Sequence, residues 1–283
     1  MKRQSSFTNE MPTLYLVATP IGNLEEMTPR AIDVLSTVDV IAAEDTRNTQ
    51  KLLSHFDIKT RMVAHHLYNE ANSAKGLLEL LEAGQSIALV SDAGYPLISD
   101  PGETLVETVT KAGFNVVPVS GSSAFINALV ASGLPTQPFT FVGFLPVKEN
   151  DFKNTLDKYK SYRHTLIFYE APHRIVKTLT KMKEILGDRK ICLARELTKV
   201  HEEFIRGTIS EVLEIAEELK GEMVIVVDGN KGDERPTLSV SDLNKMVENR
   251  IQTGMSASEA IKDVAKTTGI SKNKIYSSFH KQA

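Results

Sequence analysis

The sequence predicts an α/β protein: two α/β domains followed by a small all-α module. The chain has 283 residues, about twice an ordinary domain. Short β-branched runs alternate with amphipathic stretches, which is typical of parallel βαβ units, and beyond about residue 238 the pattern is helical only. We therefore expect a flexible tail (1–10), an N-terminal α/β domain (11–119), a second α/β domain (120–229), a linker (230–237) and a helical module (238–283).

The first domain is expected to alternate strands and helices. Thr28 suits an N-cap and Pro29 the first helical position, because a threonine oxygen can accept from the first turn and proline has no N–H to satisfy there. Gly84 and Gly113 end two later helices. The predicted strands are residues 14–18, 38–43, 62–64, 87–90 and 115–119, and the later predicted helices are residues 46–56, 73–83 and 103–112.

The second domain continues the alternation, and the module ends it. The predicted strands are residues 139–144, 165–169, 191–195 and 223–227, and the predicted helices are residues 124–131, 149–160, 174–186 and 211–219. The module is predicted to hold helices 239–253, 256–267 and 272–280. A glycine-containing turn before the last helix is typical of a helix-turn-helix, although a helical cap on the body would show the same pattern.

Composition excludes several classes of protein. Cys192 is the single cysteine, so a disulfide scaffold or a multi-thiolate metal site is excluded. The sequence has no apolar run of about 20 residues and its start is polar, so we expect a cytoplasmic protein. The net charge of −3 argues against a chain coated in positive charge. Residues 161–206 and 235–283 are nevertheless basic, and such regions can hold a polyanion locally.

Three loops dense in small residues follow predicted strands. They are the first loop (19–23, TPIGN), the second loop (91–96, SDAGYP) and the third loop (120–124, SGSSA). Ligands in open α/β sheets bind beyond the carboxyl ends of strands, so the three loops together predict a ligand cleft. Asp92 and Asp100 beside the second loop favour an ammonium or sulfonium group over a phosphate. The sequence contains neither a P-loop nor a G-x-G-x-x-G motif after the first strand.

Histidines suggest a metal site only weakly. His65, His66 and His201 form no H-E-x-x-H motif, and no cysteine cluster could complete a site. We therefore expect no metal.

Five blocks in order carry a specific resemblance. They read LYLVATPIGNL (14–24), AEDTR (43–47), SDAGYPLISDPG (91–102), FYEAPHR (168–174) and RELTKVHEE (195–203). The series resembles the methyltransferase I family of small-subunit ribosomal RNA, within the tetrapyrrole methylase superfamily, from about residue 11 to residue 283. The family's third loop commonly reads PGPSA, so this chain lacks both of its prolines, at Ser120 and Ser122. We expect the loop to be more flexible but still functional, with contacts of Ser122 and Ser123 that the resemblance does not specify.

The resemblance implies a fold and an activity. It implies a two-domain tetrapyrrole-methylase-like fold with the cofactor cleft between the domains. The cofactor would be S-adenosyl-L-methionine, and the reaction 2′-O-ribose methylation of a decoding-centre cytidine in 16S rRNA of the small ribosomal subunit. It also implies a homodimer.

By resemblance, the cofactor's methionine part lies against residues 91–98, and its adenine lies near residues 122–124, Phe168 and Tyr169. Phe168 is the more plausible strand-core residue of that pair. The expected cofactor-binding residues are Pro20, Gly22, Asp92, Gly94, Pro96, Ile98, Ser122, Ala124 and Tyr169.

Methyl transfer to a hydroxyl benefits from a base and a nearby cation. The candidate bases are Glu44, Asp45, Glu170 and Glu202. The expected catalytic residues are Glu170 and Arg174, which would position the substrate, together with Asp45 and Lys199. Asp45–Arg47 and Glu170–Arg174 could equally be structural ion pairs, the latter at i,i+4 spacing.

RNA contacts are expected from cations around the cleft and on the last helix. Besides Arg174 and Lys199 these are Arg47, Arg195, Arg206, Lys272, Lys274 and Lys281. Such contacts give affinity and register rather than sequence readout. Two other functions stay open: a tetrapyrrole C-methyltransferase using the same cleft, and a ligand-sensing DNA-binding regulator.

Overall fold

The computed structural model describes residues 3–6, 8–66, 70–232, 240–268 and 270–280. The chain divides into two compact units, Met1–Asn230 and Lys231–Ala283. Residues 233–237 of the predicted linker, residues 238 and 239 of the predicted module, and Lys281 lie outside the described residues.

The first sheet has five parallel strands in the order β3-β2-β4-β1-β5. Helices α1 and α2 contribute to the core on one face, and α3 and α4 to the core on the other. The strands are β1 (Thr13–Val17), β2 (Val40–Ala43), β3 (Met62–Ala64), β4 (Ile87–Val90) and β5 (Asn115–Val119), and the helices are α1 (Pro29–Thr37), α2 (Thr46–His55), α3 (Glu70–Glu82) and α4 (Glu103–Ala112).

Local signals in the sequence place several helix ends correctly. The Thr28 side chain accepts from the Ala31 N–H at 3.2 Å, with Pro29 in the first turn, so the predicted cap is confirmed. Helix α4 ends at Gly113 with φ of 94°. Helix α3 begins at Glu70, three residues earlier than predicted; the Glu70 carboxylate accepts from the backbone N–H groups of Gly102 and Thr104 at the start of α4.

The second sheet is mixed rather than parallel, which corrects the expectation of βαβ units throughout. Its order is β6-β7-β10-β8-β9. Strands β6 and β7 are parallel, but β10 runs antiparallel to both of its neighbours and β9 runs antiparallel to β8. The strands are β6 (Phe139–Phe144), β7 (Thr165–Glu170), β8 (Lys190–Arg195), β9 (Glu203–Thr208) and β10 (Met223–Val227).

Strand β9 was missing from the prediction because its sequence, EFIRGT, is polar and lies on the sheet edge. It pairs with β8 across the short 196–202 loop, and a loop of that length can join only antiparallel strands. The helix predicted at 211–219 is instead α8 (Ile209–Leu213) followed by a 3₁₀ turn (Ala216–Glu218). A capping box between Thr208 and Glu211 starts α8.

Consecutive residues of β7 belong to different cores. Phe168 is fully buried in the core formed with α6 (Glu149–Tyr159), α7 (Ile175–Leu186) and α8. Tyr169 packs on the opposite face, in the core shared with α5 (Ala124–Ala131) and Ile21 of the first loop. Because side chains alternate along a strand, only Tyr169 of this pair can face the first domain.

The second unit is a three-helix module. Helices α9 (Val240–Gln252), α10 (Ala257–Thr268) and α11 (Lys272–His280) enclose their own core, built on Leu243, Val247, Ile261, Val264 and Ile275. Within the described ranges of the chain, no helix has the length and apolar character to cross a membrane.

Part of the predicted tail is bound to the first sheet. The Gln4 side chain donates to the Val116 carbonyl at 2.9 Å and accepts from the Val116 N–H at 3.1 Å. The Asn9 side chain accepts from Asn115 at 2.7 Å. These bonds cover the exposed edge of β5.

Candidate functional site

The three glycine-containing loops meet at the carboxyl ends of the adjacent strands β4, β1 and β5. Thr19 and Gly94 exchange two backbone hydrogen bonds of 2.9 and 3.0 Å, which join the first loop to the second. The Tyr95 hydroxyl accepts from the Gly121 N–H at 3.2 Å, which joins the second loop to the third. A Cβ at Gly121 would lie 2.8 Å from the Ala18 Cβ, so this close approach requires glycine.

A cavity of about 330 Å³ opens where these loops face the second sheet. Ligand pockets commonly span roughly 300–1,000 Å³. Its lining residues follow β1, β2, β4 and β5 of the first sheet and lie near the ends of β6, β7 and β8 and the start of β10 in the second sheet. The lining residues are Ile21, Glu44, Asp92, Ala93, Gly94, Tyr95, Ile98, Ser99, Asp100, Ser123, Ala124, Phe144, Tyr169, Glu170, Ala171, Glu196, Leu197, Lys199, Glu222, Met223 and Val224.

Carboxylates concentrate negative charge on the first-domain wall of this cavity. Burial, and then repulsion from Asp92, raises the pKa of Glu44. Burial, and then repulsion from Glu44, raises the pKa of Asp100 to about 6. Asp92 accepts a hydrogen bond from Asn48 at 2.9 Å. This wall therefore suits a positively charged group.

Backbone strain is concentrated in two loops that line the cavity. Leu97 and Ser99 have φ of 72° and 70°, and Glu196 and Thr198 have φ of 50° and 67°. Left-handed conformations are costly for residues with a Cβ and occur most often where surrounding structure enforces them at functional sites. The two loops come from different domains, so both walls of the cavity are built this way.

Gly22 lies against the loop that follows β8. A Cβ at this position would be 2.7 Å from Cγ of Lys199 and 2.9 Å from Oγ1 of Thr198. The glycine therefore allows the first loop to touch the second domain beside the cavity.

Glu170 was predicted to position substrate, but both of its carboxylate oxygens are already bound by groups of the protein. Its side chain is fully buried. Oε1 accepts from the Ala171 N–H at 2.9 Å and lies 3.3 Å from Nε of Arg174, while Oε2 accepts from the Thr178 hydroxyl. Arg174 also donates to the Leu145 carbonyl at 2.9 Å. The carboxylate fixes Arg174 at the end of β7.

Asp45 lies outside the cavity lining and caps helix α2. Its carboxylate accepts from the Arg47 N–H at 2.8 Å and from Nε and Nη2 of the same arginine at 3.2 and 2.8 Å. The hydrogen bonds from Arg47 lower the pKa of Asp45 to about 2, so it binds a proton weakly. Glu202 also lies outside the lining and accepts from the Thr198 N–H at 2.7 Å.

Lys199 lines the cavity from the second domain. Its Nζ lies 3.0 Å from Oε1 of Glu196, which also lines the cavity. The ammonium group is half-exposed, so it can face a ligand as well as Glu196.

The predicted cofactor-binding residues divide between the lining and its support. Five line the cavity: Asp92, Gly94, Ile98, Ala124 and Tyr169. Pro20, Gly22, Pro96 and Ser122 belong to the same loops but do not line it. The Ser122 hydroxyl donates to Glu26 at 2.6 Å, which holds the third loop in place of the family's proline.

The predicted RNA-binding cations also differ in what they contact. Arg47 is exposed, with 87% of its side-chain surface accessible, although it pairs with Asp45. Arg195 pairs with Glu203 at 2.6 Å. Arg206 donates to the carbonyls of Ala131 and Ser132 at the end of α5. Lys272 and Lys274 are exposed on α11.

Part of the second-domain wall has no signal in the sequence. Glu222, Met223 and Val224 precede or begin β10 and so do not follow a strand. They reach the cavity because β10 is antiparallel to β7 and β8, which places its start beside their ends; Met223 pairs with both Glu170 and Arg195. The sequence pattern predicts parallel strands, and a parallel β10 would have its start at the opposite edge of the sheet. These three residues were therefore not expected at the cavity.

Metal-ligating side chains do not cluster in the described part of the chain, where no group of three or more His, Cys, Asp or Glu could hold an ion. His65 is buried and its Nδ1 lies 2.8 Å from the Ser73 hydroxyl. Burial lowers the pKa of His65, so its neutral form is favoured.

Two curated proteins are similar to this chain over their full length. A ribosomal RNA small subunit methyltransferase I from Halalkalibacterium halodurans is 48% identical over 290 residues and is covered, like this chain, over 100% of its length. The protein of the same name from Bacillus subtilis is 47% identical, with 99% of each chain covered.

Solved structures share the fold at lower identity. A diphthine synthase superposes with a TM-score of 0.61 at 11% identity, over 76% of this chain and 89% of its own. A uroporphyrin-III C-methyltransferase from Thermus thermophilus, complexed with S-adenosyl homocysteine, has a TM-score of 0.54 at 20% identity, over 77% and 97% of the two chains.

Residues 13–213 match the family model of Tetrapyrrole (Corrin/Porphyrin) Methylases. With that match and the two-sheet fold, the chain belongs to the tetrapyrrole methylase family.

Proposed function

We propose that this protein transfers a methyl group from S-adenosyl-L-methionine to the ribose 2′-oxygen of a decoding-centre cytidine in 16S rRNA. The observation that carries the proposal is the acidic cavity between the two sheets, in a chain whose full-length relatives at 47–48% identity are named small-subunit rRNA methyltransferases. Such an enzyme works in the cytoplasm, where ribosomes are assembled.

The residues of the cavity fit this cofactor. S-adenosyl-L-methionine supplies an electrophilic methyl group on a positively charged sulfur and also carries an ammonium group. Asp92 and Asp100 would hold these positive charges, since both face the cavity. Tyr169, packed against Phe141 at a ring separation of 5.0 Å, offers an aromatic wall for the adenine.

Glu44 is the best-placed proton acceptor of the four acids considered. Asp45 and Glu202 lie outside the cavity lining, and Glu170 is enclosed by its own partners. Glu44 lines the cavity and its pKa is raised by burial, which makes it a better proton acceptor than an ordinary glutamate. Lys199, on the opposite wall, would stabilise the oxyanion as the hydroxyl proton leaves.

Arg174 and Glu170 act as a pair in this proposal. Arg174 would contact the RNA next to the target ribose, and Glu170 would orient the arginine without taking a proton. Asp45 would likewise orient Arg47 toward the RNA without taking a proton.

A transfer assay tests the proposal. Purified protein, labelled cofactor and small subunits lacking the modification should yield label in 16S rRNA, mapped to the 2′-oxygen of one cytidine. Glu44→Gln should lower the rate of transfer much more than the affinity for S-adenosylhomocysteine, because the proposal assigns the cofactor's positive charges to Asp92 and Asp100 and the proton transfer to Glu44. Label on a base, or none in rRNA, would contradict the proposal.

The same assay separates the two alternative functions. A tetrapyrrole C-methyltransferase would label uroporphyrinogen instead of rRNA. A ligand-sensing regulator would bind a specific DNA sequence through the helical module and label neither. The solved uroporphyrin-III C-methyltransferases are similar to this chain at 20–21% identity, which shows a shared fold only.

The proposal includes a homodimer, as the family resemblance implies. Light scattering of the purified protein should then give twice the 31.3 kDa of one chain. A monomeric mass at assay concentrations would contradict this part of the proposal.

A further inference from the structure

A second cavity, of about 460 Å³, lies directly beside the first. The two share Phe144, Glu170 and Ala171, so they are separated only by the ends of β6 and β7. We call the second cavity the basic groove, because its four lysine and arginine side chains outnumber its three glutamates. Its remaining lining residues are Val147, Glu149, Phe152, Lys153, His173, Arg174, Lys177, Thr178, Lys181, Glu184 and Ile185.

Two lysines and a histidine enter the groove from three elements. Lys153 comes from α6, His173 from the 3₁₀ turn Pro172–Arg174, and Lys177 from α7. All three are exposed. Lys153 and His173 form no ion pair with any residue that the structure describes, which leaves them available to an anion.

An internal carboxylate marks an anion position in the groove. Glu149 lies between two lysines, 3.6 Å from Nζ of Lys177 and 3.3 Å from Nζ of Lys181. Hydrogen bonding to Lys181, together with the charges of both lysines, lowers the pKa of Glu149. The side chain is 62% exposed, so an external anion of higher charge could displace it.

The rim of the groove carries exposed apolar side chains beside these cations. Phe144 is 56% exposed at the end of β6, and Val147 is 78% exposed a few residues later. Phe144 also lines the cofactor cavity. Cations that track a phosphate backbone, next to an aromatic on which a base can stack, are the combination used by single-strand nucleic-acid sites.

We propose that the basic groove binds the single-stranded RNA segment flanking the methylated nucleotide. Backbone phosphates would contact Lys153, His173 and Lys177, one phosphate would take the place of the Glu149 carboxylate, and a base would stack on Phe144. The shared wall then brings the neighbouring ribose to the cofactor cavity. This inference rests on the proposed function, since it assumes an RNA substrate.

The test compares two variants of the full-length protein. Lys153→Ala/Lys177→Ala removes two groove cations, and Lys158→Ala removes an exposed lysine of the same helix α6 that does not line the groove. Binding to 16S rRNA is measured between about 50 and about 200 mM salt. The double variant should bind about tenfold more weakly, with a salt slope smaller by about 1 to 2. The control should match the wild type, and all three should bind S-adenosylhomocysteine equally.

Glu149→Gln provides a test with the opposite sign. If the carboxylate occupies a phosphate position, its removal should tighten rRNA binding. If its ion pairs with Lys177 and Lys181 only stabilise the fold, the variant should lower the melting temperature and leave rRNA binding unchanged or weaker, which would overturn the proposal.

The outcomes separate failure of this inference from failure of the proposed function. A wild-type protein that neither binds nor methylates rRNA refutes the proposed function itself. A wild-type protein that does both, with the double variant indistinguishable from Lys158→Ala, refutes the groove alone. A double variant that loses binding only to assembled subunits and not to naked rRNA indicates a ribosomal protein as partner, and also refutes the groove proposal.

Discussion

At the scale of single residues, the neighbours of a carboxylate decide what it can do. Asp45, Asp100 and Glu170 are equally acidic side chains in the sequence. In the structure, Arg47 lowers the pKa of Asp45 to about 2, burial raises that of Asp100 to about 6, and Glu170 is enclosed by three donors. Only a carboxylate that faces the cavity without an internal cation can serve a cationic ligand.

We predict that cofactor affinity depends on the ionisation of Asp100. Below pH about 6 this carboxyl becomes protonated and its attraction for a sulfonium is lost. The affinity for S-adenosylmethionine should therefore fall on the order of tenfold from pH 7 to pH 5, whereas S-adenosylhomocysteine, which lacks the sulfonium charge, should change less. Calorimetry of both ligands across this range measures the difference, and an equal response of the two would count against the assignment.

Protonation of Asp100 should stabilise the folded protein, although it should weaken the binding of S-adenosylmethionine. The folded pKa of Asp100 lies above the unfolded value of about 3.9, so its contribution favours folding at low pH and is lost as pH rises from about 4 through about 6. At pH 7 the ionised group is a cost to the ligand-free protein. Asp100→Asn should thus raise the melting temperature at pH 7 while weakening S-adenosylmethionine binding.

Glu170 should prove important mainly for stability and for the position of Arg174. Glu170→Ala leaves Arg174 without its buried partner, and we expect a loss of about 2 to 3 kcal/mol in the free energy of unfolding. Glu211→Ala, which removes only the capping box of α8, should cost about 1 kcal/mol. Urea denaturation compares the two, and a Glu170 variant as stable as the wild type would show that the pair is not structural.

At the scale of elements, the site depends on loops that approach each other too closely for side chains. Gly22 and Gly121 allow contact with Lys199 and Ala18, respectively. The sequence indicates such loops through their small residues, and the bonds between Thr19 and Gly94 and between Tyr95 and Gly121 join the three. That they form a ligand cleft stays a prediction. Their contact across the domain boundary was not predictable, because nothing local identifies Thr198 and Lys199 as the partners.

Gly22→Ala should therefore reduce activity more than stability. The added Cβ would overlap Lys199 and Thr198 and push the first loop away from the second domain. We expect kcat to fall about tenfold. A catalytic group misplaced by about 1 Å can cost about a hundredfold in rate, and the first loop is expected to move by less than that. Gly76→Ala is the matched control: its Cβ meets open space on α3, so it should add about 1 kcal/mol of stability and leave kcat unchanged.

At the scale of the whole molecule, each of the two units contains its own core. Four apolar clusters lie within residues 1–230, and the fifth lies within α9, α10 and α11. The first cavity and the basic groove are lined by residues of the first unit alone. Cofactor binding and the helical module can therefore be separated experimentally.

Ending the chain at Asn230 should leave cofactor binding intact. We expect a cooperative thermal transition and wild-type affinity for S-adenosylhomocysteine, because the four apolar clusters of the first unit and the residues lining both cavities are all retained. Affinity for 16S rRNA should fall, because the exposed Lys272 and Lys274 of α11 are lost. An unfolded fragment would contradict the independence of the units, and unchanged rRNA affinity would contradict an RNA-binding role for the module.

The amino-acid sequence was enough to predict the alternation of strands and helices, the helix ends at Thr28 and Gly113, and the three loops that form part of one cavity wall. These features depend on side-chain period and local backbone preference, which act over a few residues. The tertiary structure alone decided that β10 runs antiparallel, which brings Met223 between Glu170 and Arg195, and that Glu44 and Asp100 differ from Asp45 in proton affinity. Strand direction and pKa depend on partners distant in the chain, and only folding specifies which residues those are.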